Sequence, residues 1–427
     1  MTRQKTFETK KKVEEKAILI GLITPDSPKK YSEPLAELAS LANTAGAEVL
    51  GCVTQNRPKP HAASYLGQGK LEQVKSMAEK QGANLIICDD DLLPTQSKNI
   101  EKITGRRVVD RTELILHIFA TNSKTSEAKL QVELAQLKYF MPKLKRLWQH
   151  LDRYEGGIGT RGPGEKQIES DKRIIKKKIG DLAQCIKKIE ERKSREVAER
   201  ANKFLTVALI GYTNAGKSTL MNLITNADVL VEDKLFSTLD TRTRLWNIEG
   251  RKILLSDTVG FIEKLPHALV ASFRATLEEA RQADLLLHVV DSSHPDAAQQ
   301  VEVVNKVLEE IGLQEKPILL VLNKTDLVKD NVDFSHLRIL YPEHVAMSAK
   351  KGINLLELEK KVLYLLESQM VDLNLTLPMS EGKWLSWFEE YTRILEKTWD
   401  EKNIYYKIRL TQANADWLMA TLGNGEK

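Results

Sequence analysis

The stretch GYTNAGKST, residues 211–219, has the residue types and spacing of a phosphate cradle. Gly211, Gly216, Lys217 and Ser218 fall on the pattern G-x-x-x-x-G-K-[ST]. Glycines let main-chain N–H groups converge on an anion, so Tyr212, Thr213, Asn214 and Ala215 offer their backbone donors from between them. Lys217 supplies a point charge for the β- and γ-phosphates of a nucleoside triphosphate, and the Ser218 hydroxyl is a ligand for Mg²⁺. Such a loop needs a strand before it and a helix after it. The apolar run LTVALI and the segment STLMNLIT, which includes Thr219, supply them.

Further pieces of the same chemistry follow in chain order. RKILLSDTVG (251–260) reads as a strand ending in Asp257, placed to orient Mg²⁺ through water. Thr258 and Val259 then lead to Gly260 beside the γ-phosphate. PILLVLNKTD is a buried strand that delivers Asn323, Lys324 and Asp326. A carboxylate accepts two parallel hydrogen bonds from the ring N–H and exocyclic amine of guanine, a donor pair that adenine lacks. Asp326 therefore argues for GTP over ATP, with the Lys324 stem packed on the base. MSAK (347–350) reads as a last strand and a loop over the base through Ser348, Ala349 and Lys350.

Between these motifs, EDKLFSTLDTRTR is polar and reads as a loop that senses the γ-phosphate. Phe236, Ser237 and Thr238 lie in it, with Thr238 closing on Mg²⁺ and phosphate. Phe261 follows Gly260 where many GTPases carry a glutamine that orients water, and a phenyl ring has no hydrogen bond for that task. The isolated protein is expected to be slow and to await a partner. The amide of Asn214 suits a K⁺ ion beside the phosphates, while a loop-capping residue is the plainer reading. The expected catalytic set is Lys217, Thr238, Gly260 and Asn214.

The elements that must position these groups are α/β. The expected fold is a P-loop GTPase domain over 204–369. A small parallel α/β domain precedes it over 1–110, then a helical region over 111–203, and a small α/β unit follows over 370–427. KAILIGLI, AEVLGCV and ANLIICD read as strands of the first domain, with helices between them. In SYLGQGKLEQ, Gly67, Gly69 and Lys70 fit an anion site or a turn opening a helix equally well.

Two apolar seams mark the helical region. Leu130, Leu134, Leu137, Met141, Leu144 and Trp148 form the first, which Pro142 should kink or split. Ile168, Ile175, Ile179, Leu182, Ile186 and Ile189 form the second. Their spacing predicts an antiparallel helical pair. The break between them, EGGIGTRGPGEKQIES, holds Gly156, Gly157, Gly159, Gly162 and Gly164, with Arg161 and Lys166 as its charges. One or two glycines suffice to turn a helical hairpin, so this many fit a loop that wraps closely around a rigid partner, with a plain flexible hairpin tip as the alternative.

At 427 residues the chain is long enough for two to four domains. Residues 143–203 hold 18 basic against 10 acidic side chains, and the remainder is net negative. The excess charge is therefore local, which places a polyanion contact or a solvated lysine-rich face there. No signal peptide and no run of about 18 apolar residues is evident. The cysteines, Cys52, Cys88 and Cys185, show no metal-ligand spacing, and the first two read as buried thiols. A reducing cytoplasmic location is expected, with peripheral membrane association as a further option.

With these residues in view, the chain resembles the HflX family of ribosome-associated GTPases over nearly its whole length. LGQGKLEQV, DRTELILHIFA, KLQVELAQLKY, LFSTLD, DTVGFIEKLPHALVASFRATLEEA and NKTD resemble its motifs. GGIGTRGPGEKQIESDKR resembles its most specific one. The resemblance implies binding to the large (50S) ribosomal subunit and its 23S rRNA. It further implies splitting or rescue of 70S ribosomes under stress, GTP hydrolysis to GDP with Mg²⁺, and stimulation by the ribosome. Carried here, it gives Gly156, Gly157, Gly159, Arg161, Gly162, Gly164 and Lys166 an rRNA-contacting role. Departures from the family pattern fall at His117, Asn122-Ser123, Thr241-Arg242 and Glu263, none of them on phosphate, Mg²⁺ or guanine. A monomer with no DNA partner is expected. The competing readings are a large-subunit assembly GTPase, an RNA-remodelling ATPase and a nucleotide-regulated scaffold.

At the C-terminal end, VDLNLTLP and NIYYKIRLT read as strands around a helix GKWLSWFEEYTRILEKTW. Trp384, Trp387 and Phe388 mark the packed side of that helix or a docking face.

Overall fold

The structure is a computed structural model. It describes residues 14–25, 35–143, 163–201, 204–225, 236, 242–258, 260–264, 274–328, 332–379, 384, 387–388 and 392–423. The chain divides into two compact units, the first built on Met1–Leu182 and Lys264–Leu269 and the second on Ala183–Glu263 and Val270–Lys427.

The first unit carries a parallel sheet of β1 (Glu15–Ile23), β2 (Ala47–Asn56), β3 (Leu85–Cys88) and β4 (Arg107–Asp110), ordered β2-β1-β3-β4. Helices α1 (Ala36–Thr44), α2 (Gln68–Gln81) and α3 (Pro94–Thr104) connect these strands. Ile18, Ile20, Leu71, Val74 and Ile86 share one core. Gly67 caps α2, and its N–H donates to Gln55 Oε1 at 2.9 Å, so the glycines here open a helix. Cys88 is buried as expected, but Cys52 is exposed. It lies on the edge strand β2, where alternation turns it away from the core.

Helices α4 (Arg111–Asn122) and α5 (Ser126–Phe140) follow, and Pro142 sits in a short 3₁₀ turn, Met141–Lys143, that ends α5. Only part of the first apolar seam is buried. Leu134 is enclosed together with Ala128, Gln131, Val132 and Ala135, while Leu130 and Leu137 are half-buried. Helix α6 (Pro163–Ala201) carries the second seam. Leu182 and Ile186 are buried, and Ile175, Ile179 and Ile189 are half-buried among exposed neighbours. Lys178 of α6 pairs with Glu133 of α5.

Gly164 and Lys166, read above as part of the glycine-rich break, belong to the first turn of α6. Pro163 explains this, because proline suits the first helical position, where no N–H is needed. Gly156, Gly157, Gly159, Arg161 and Gly162 lie outside the described residues, as do Leu144 and Trp148.

The second unit holds a six-stranded sheet. Its strands are β5 (Leu205–Gly211), β6 (Arg242–Ile248), β7 (Arg251–Asp257), β8 (Leu285–Asp291), β9 (Ile318–Asn323) and β10 (His344–Ala346), ordered β10-β9-β8-β5-β7-β6. All neighbours are parallel except β6, which runs antiparallel to β7 at the edge. Helices α7 (Lys217–Thr225), α8 (Arg274–Gln282), α9 (Ala297–Glu310), α10 (Val332–Leu340) and α11 (Leu355–Ser368) accompany it. Strand β5 is buried from Val207 on and β8 as far as Val290, and both read as apolar runs, as a covered parallel sheet requires. The end of the expected sensing loop, Arg242–Arg244, is strand β6 instead. Its pairing with β7 decides this against its polar composition.

A three-stranded antiparallel sheet, β11 (Met370–Pro378), β12 (Arg393–Trp399) and β13 (Asn403–Thr411), precedes α12 (Gln412–Gly423). Residues 393–399 were expected to continue a helix, yet they pair antiparallel with β13. Helix formers such as Leu395, Glu396 and Lys397 mislead here because cross-strand pairing outweighs local propensity. Phe388 is fully buried, and Trp384 and Trp387 pack on the same core with Trp417. These aromatics are thus packed into that core.

Candidate functional site

Phe236 apart, the described residues of the expected nucleotide site lie at the C-terminal ends of β5, β7, β9 and β10, in the loops that leave them or in the first turn of α7. This is the edge at which open α/β sheets bind ligands. The loop from β5 to α7 needs its two glycines. Gly211 has φ +144°, and a Cβ there would stand 2.2 Å from the Val289 carbonyl oxygen. Gly216 has φ +94°, and its Cβ would meet Asn323 Nδ2 at 2.3 Å. Between them Asn214 takes a left-handed φ of 60°, and its side chain is exposed.

Lys217 is buried and donates to the carbonyls of Gly211 at 3.1 Å and Tyr212 at 2.8 Å. Its ammonium is thus held in the mouth of the loop. Burial lowers its pKa to about 8, against the opposing pull of Asp257. Ser218 donates its hydroxyl to Asp257 Oδ2 at 2.8 Å, and the Asp257 side chain is enclosed at the end of β7. Thr219 follows in the first turn of α7. A serine oxygen beside a carboxylate is a hard-oxygen donor pair, which fits Mg²⁺ shared with nucleotide phosphates. Among the described residues no cluster of three His, Cys, Asp or Glu side chains forms a metal cage, so these residues offer that ion only a partial shell.

After Asp257, Thr258 donates to the Leu209 carbonyl at 2.6 Å and Gly260 lies against the loop. A Cβ on Gly260 would be 2.9 Å from Thr213 Cα and 3.0 Å from Lys217 Nζ. Phe261 pairs its backbone with the loop. Its N–H donates to Gly211 at 3.1 Å, and its carbonyl accepts from the Thr213 N–H at 2.8 Å. The Phe261 ring is buried, and the Tyr212 hydroxyl accepts from the Glu263 N–H at 2.7 Å. Tyr212 therefore serves the neighbouring segment with its side chain. Of the sensing loop Phe236 is described, buried with φ 58°, whereas Ser237, Thr238 and Val259 lie outside the described residues.

The base side is tied together by Asn323. Its Nδ2 donates to the Ala215 carbonyl and its Oδ1 accepts from the Ala349 N–H, each at 2.9 Å. Lys324 adopts φ 59° and its ammonium sits 2.7 Å from Asp291 Oδ2. Asp326 accepts from the Ser348 hydroxyl at 2.7 Å, with Lys351 Nζ 3.7 Å away. The Ser348 bond first, then a backbone N–H and the charge of Lys351, hold the Asp326 carboxyl below the usual range. Lys351 thus accompanies the carboxylate, and Lys350, expected in the loop over the base, is exposed beside it. Asp291 and Lys351 were missed. An aspartate at the end of the apolar run LLLHVVD was the available signal for the first. His288, on β8, is fully enclosed. Burial first, and the Lys217 charge second, bring its pKa to about 3, so the ring is neutral.

Three family profiles match consecutive parts of the chain. Residues 32–120 match one described as GTP-binding GTPase N-terminal, and 122–200 one described as GTP-binding GTPase Middle Region. Residues 206–324 match a 50S ribosome-binding GTPase profile. The GTPase HflX of Caldanaerobacter subterraneus subsp. tengcongensis is 44% identical over 399 residues, covering 93% of this chain and 91% of its own. The GTPase HflX of Escherichia coli is 40% identical over 409 residues, covering 94% and 95%. Among solved structures, a GTP-binding protein from Sulfolobus solfataricus in complex with GDP is 28% identical. It aligns over 83% of this chain and 99% of its own with a TM-score of 0.44. With relatives of this identity and coverage, and with the loop, the Ser218–Asp257 pair and Asp326 on one sheet edge, the chain belongs to the HflX family of GTPases.

Proposed function

We propose that this protein hydrolyses GTP on the ribosome, binding the 50S subunit and splitting or rescuing 70S particles. The observation that carries the nucleotide half is Asp326, a carboxylate held ionised by Ser348 at the end of the base-side loop. A carboxylate there accepts both donors of guanine and has no matching partner on adenine. Relatives named GTPase HflX and the 50S ribosome-binding profile support the ribosomal half.

In this reading the backbone of residues 211–216 binds the phosphates, and Lys217 moves from its carbonyl partners toward the β- and γ-oxygens. Ser218 and Asp257, joined by Thr238, hold Mg²⁺, which when bound neutralises charge developing on the phosphates. Asn214 holds K⁺ beside them. Phe261 leaves the free protein without a side chain to orient water, so turnover is slow until the ribosome completes the site. The basic segment around the glycine-rich loop, residues 156–166, meets rRNA, and the protein acts in the cytoplasm as a monomer.

Light scattering of 70S ribosomes mixed with the protein tests this. GTP should give dissociation that GDP does not. Intact 70S particles with every nucleotide would refute the splitting role.

A further inference from the structure

We propose that Glu279 is a positioning residue for the Mg²⁺ side of the nucleotide site. It ties the end of α6 to the two strands that frame Asp257 and the exit of the sensing loop. The inference rests on the GTP-hydrolysing reading above and concerns residues that touch neither phosphate nor guanine.

Glu279 lies in α8 with its side chain buried, which requires partners for its carboxylate. Its Oε2 accepts from the Thr243 hydroxyl at 2.8 Å, and Thr243 Oγ1 stands 3.1 Å from Ser256 Oγ. Thr243 has a single hydroxyl proton, and it goes to Glu279. Ser256 must then be the donor to Thr243, and the direction of the whole chain is set. Arg200, in the last turn of α6, closes the cluster. Its Nη1 lies 3.5 Å from Thr243 Oγ1 and its Nη2 3.9 Å from Glu279 Oε1.

These contacts fall at a sensitive place. Thr243 faces Ser256 in the antiparallel register of β6 on β7, and the next pair outward is Arg242 with Asp257. Residue 242 is the first strand residue after the sensing loop, and Asp257 is the carboxylate that Ser218 contacts. Glu279 therefore clamps, one residue back from each, the end of the loop that should deliver Thr238 and the strand that delivers Asp257. The buried Trp246 and Ile248 set the register at the far end of β6, and the Glu279 clamp holds its loop end, so that both positions are fixed. Arg200 makes α6 a participant, and a displacement of that helix changes the charge that faces Glu279.

The test uses the full chain with Thr243→Val, which removes the hydroxyl and keeps the branched shape. Thr243→Ser is the conservative rescue, and Glu279→Gln and Glu279→Ala are the partners. Three quantities are read: the Mg²⁺ concentration that half-maximally slows release of a fluorescent GDP, GTP turnover at saturating Mg²⁺, and Tm. Thr243→Val and Glu279→Ala should raise the Mg²⁺ requirement severalfold and lower turnover about tenfold. GDP affinity in EDTA should stay within about twofold of the parent. Thr243→Ser should match the parent in Mg²⁺ requirement. Should Glu279→Ala fail to fold, Thr243→Val and Glu279→Gln decide the matter.

An unchanged Mg²⁺ requirement in Thr243→Val, even with a lowered Tm, overturns the proposal and leaves a packing role. A parent protein that turns over no GTP, while the variants still displace the Mg²⁺ requirement, overturns the hydrolytic reading and keeps the clamp.

Discussion

Asn323 donates through Nδ2 to the carbonyl of Ala215 at 2.9 Å, across 108 residues of sequence. The other half of the same amide accepts from Ala349. One buried side chain thus joins the phosphate loop to the loop over the base. Asn323→Ala leaves a buried carbonyl and a buried N–H unpaired, at a cost of about 1–3 kcal/mol each. It should lower Tm and weaken GDP binding by at least about tenfold. Differential scanning calorimetry and GDP titration on the variant check both.

Gly216→Ala is the sharper probe of the same relationship. The new methyl would stand 2.3 Å from Asn323 Nδ2 at a φ of +94° that alanine rarely adopts. The variant should lose measurable nucleotide binding while remaining helical by circular dichroism. Retained affinity would mean that the loop relaxes without Asn323.

Lys217 predicts a pH effect with two opposite signs. Its pKa is near 8 in the free protein, against 10.5 ordinarily, so the unfolded chain binds more protons between these values. Stability of the nucleotide-free protein should therefore rise from about pH 8 toward 10.5, by up to roughly 3 kcal/mol from this group. Nucleotide binding needs the ammonium, so affinity should fall as the proton leaves. Between pH 7 and 8.5 the GDP Kd should rise about fourfold, and Lys217→Met should flatten that dependence.

Asp326→Asn exchanges one acceptor of the pair for a donor. Preference for GTP over xanthosine triphosphate should reverse by at least about a hundredfold. Competition against a fluorescent nucleotide measures it. Unchanged GTP affinity would remove Asp326 from base recognition.

For Asn214, hydrolysis in KCl and NaCl at equal ionic strength is the comparison. The exposed amide and its φ of 60° put it at the rim of the loop. Rates should differ severalfold between the salts, and Asn214→Ala should abolish the difference. Equal rates in the parent protein would leave it a turn residue.

The parts of the site that could be read from the chain alone are those where chemistry dictates residue type at short range. Glycines at 211 and 216, Lys217, Ser218 and Asp326 each meet a requirement set within a few residues. Asn323 was visible as a motif residue, yet its link to Ala215 depends on β9 and β5 being brought to one edge by β8 between them. Thr243, Ser256 and Glu279 carry no local signature, since their roles arise from an edge register and a helix packed across it.

Fold reading failed in the same way. β4 is RVVD, with two apolar residues between charged ends where the equally short β3 is apolar throughout, and β12 is rich in helix formers that pairing with β13 overrides. The Ile175–Ile189 seam was legible because a long helix repeats its pattern many times.

GTP and ATP turnover, each measured with and without purified 50S subunits, tests the central claim most directly. The account predicts slow GTP hydrolysis by the free protein, a rise of at least about tenfold with 50S, and little ATP turnover in either case. GTP turnover that 50S subunits leave unchanged, or ATP turnover equal to it, would contradict the account.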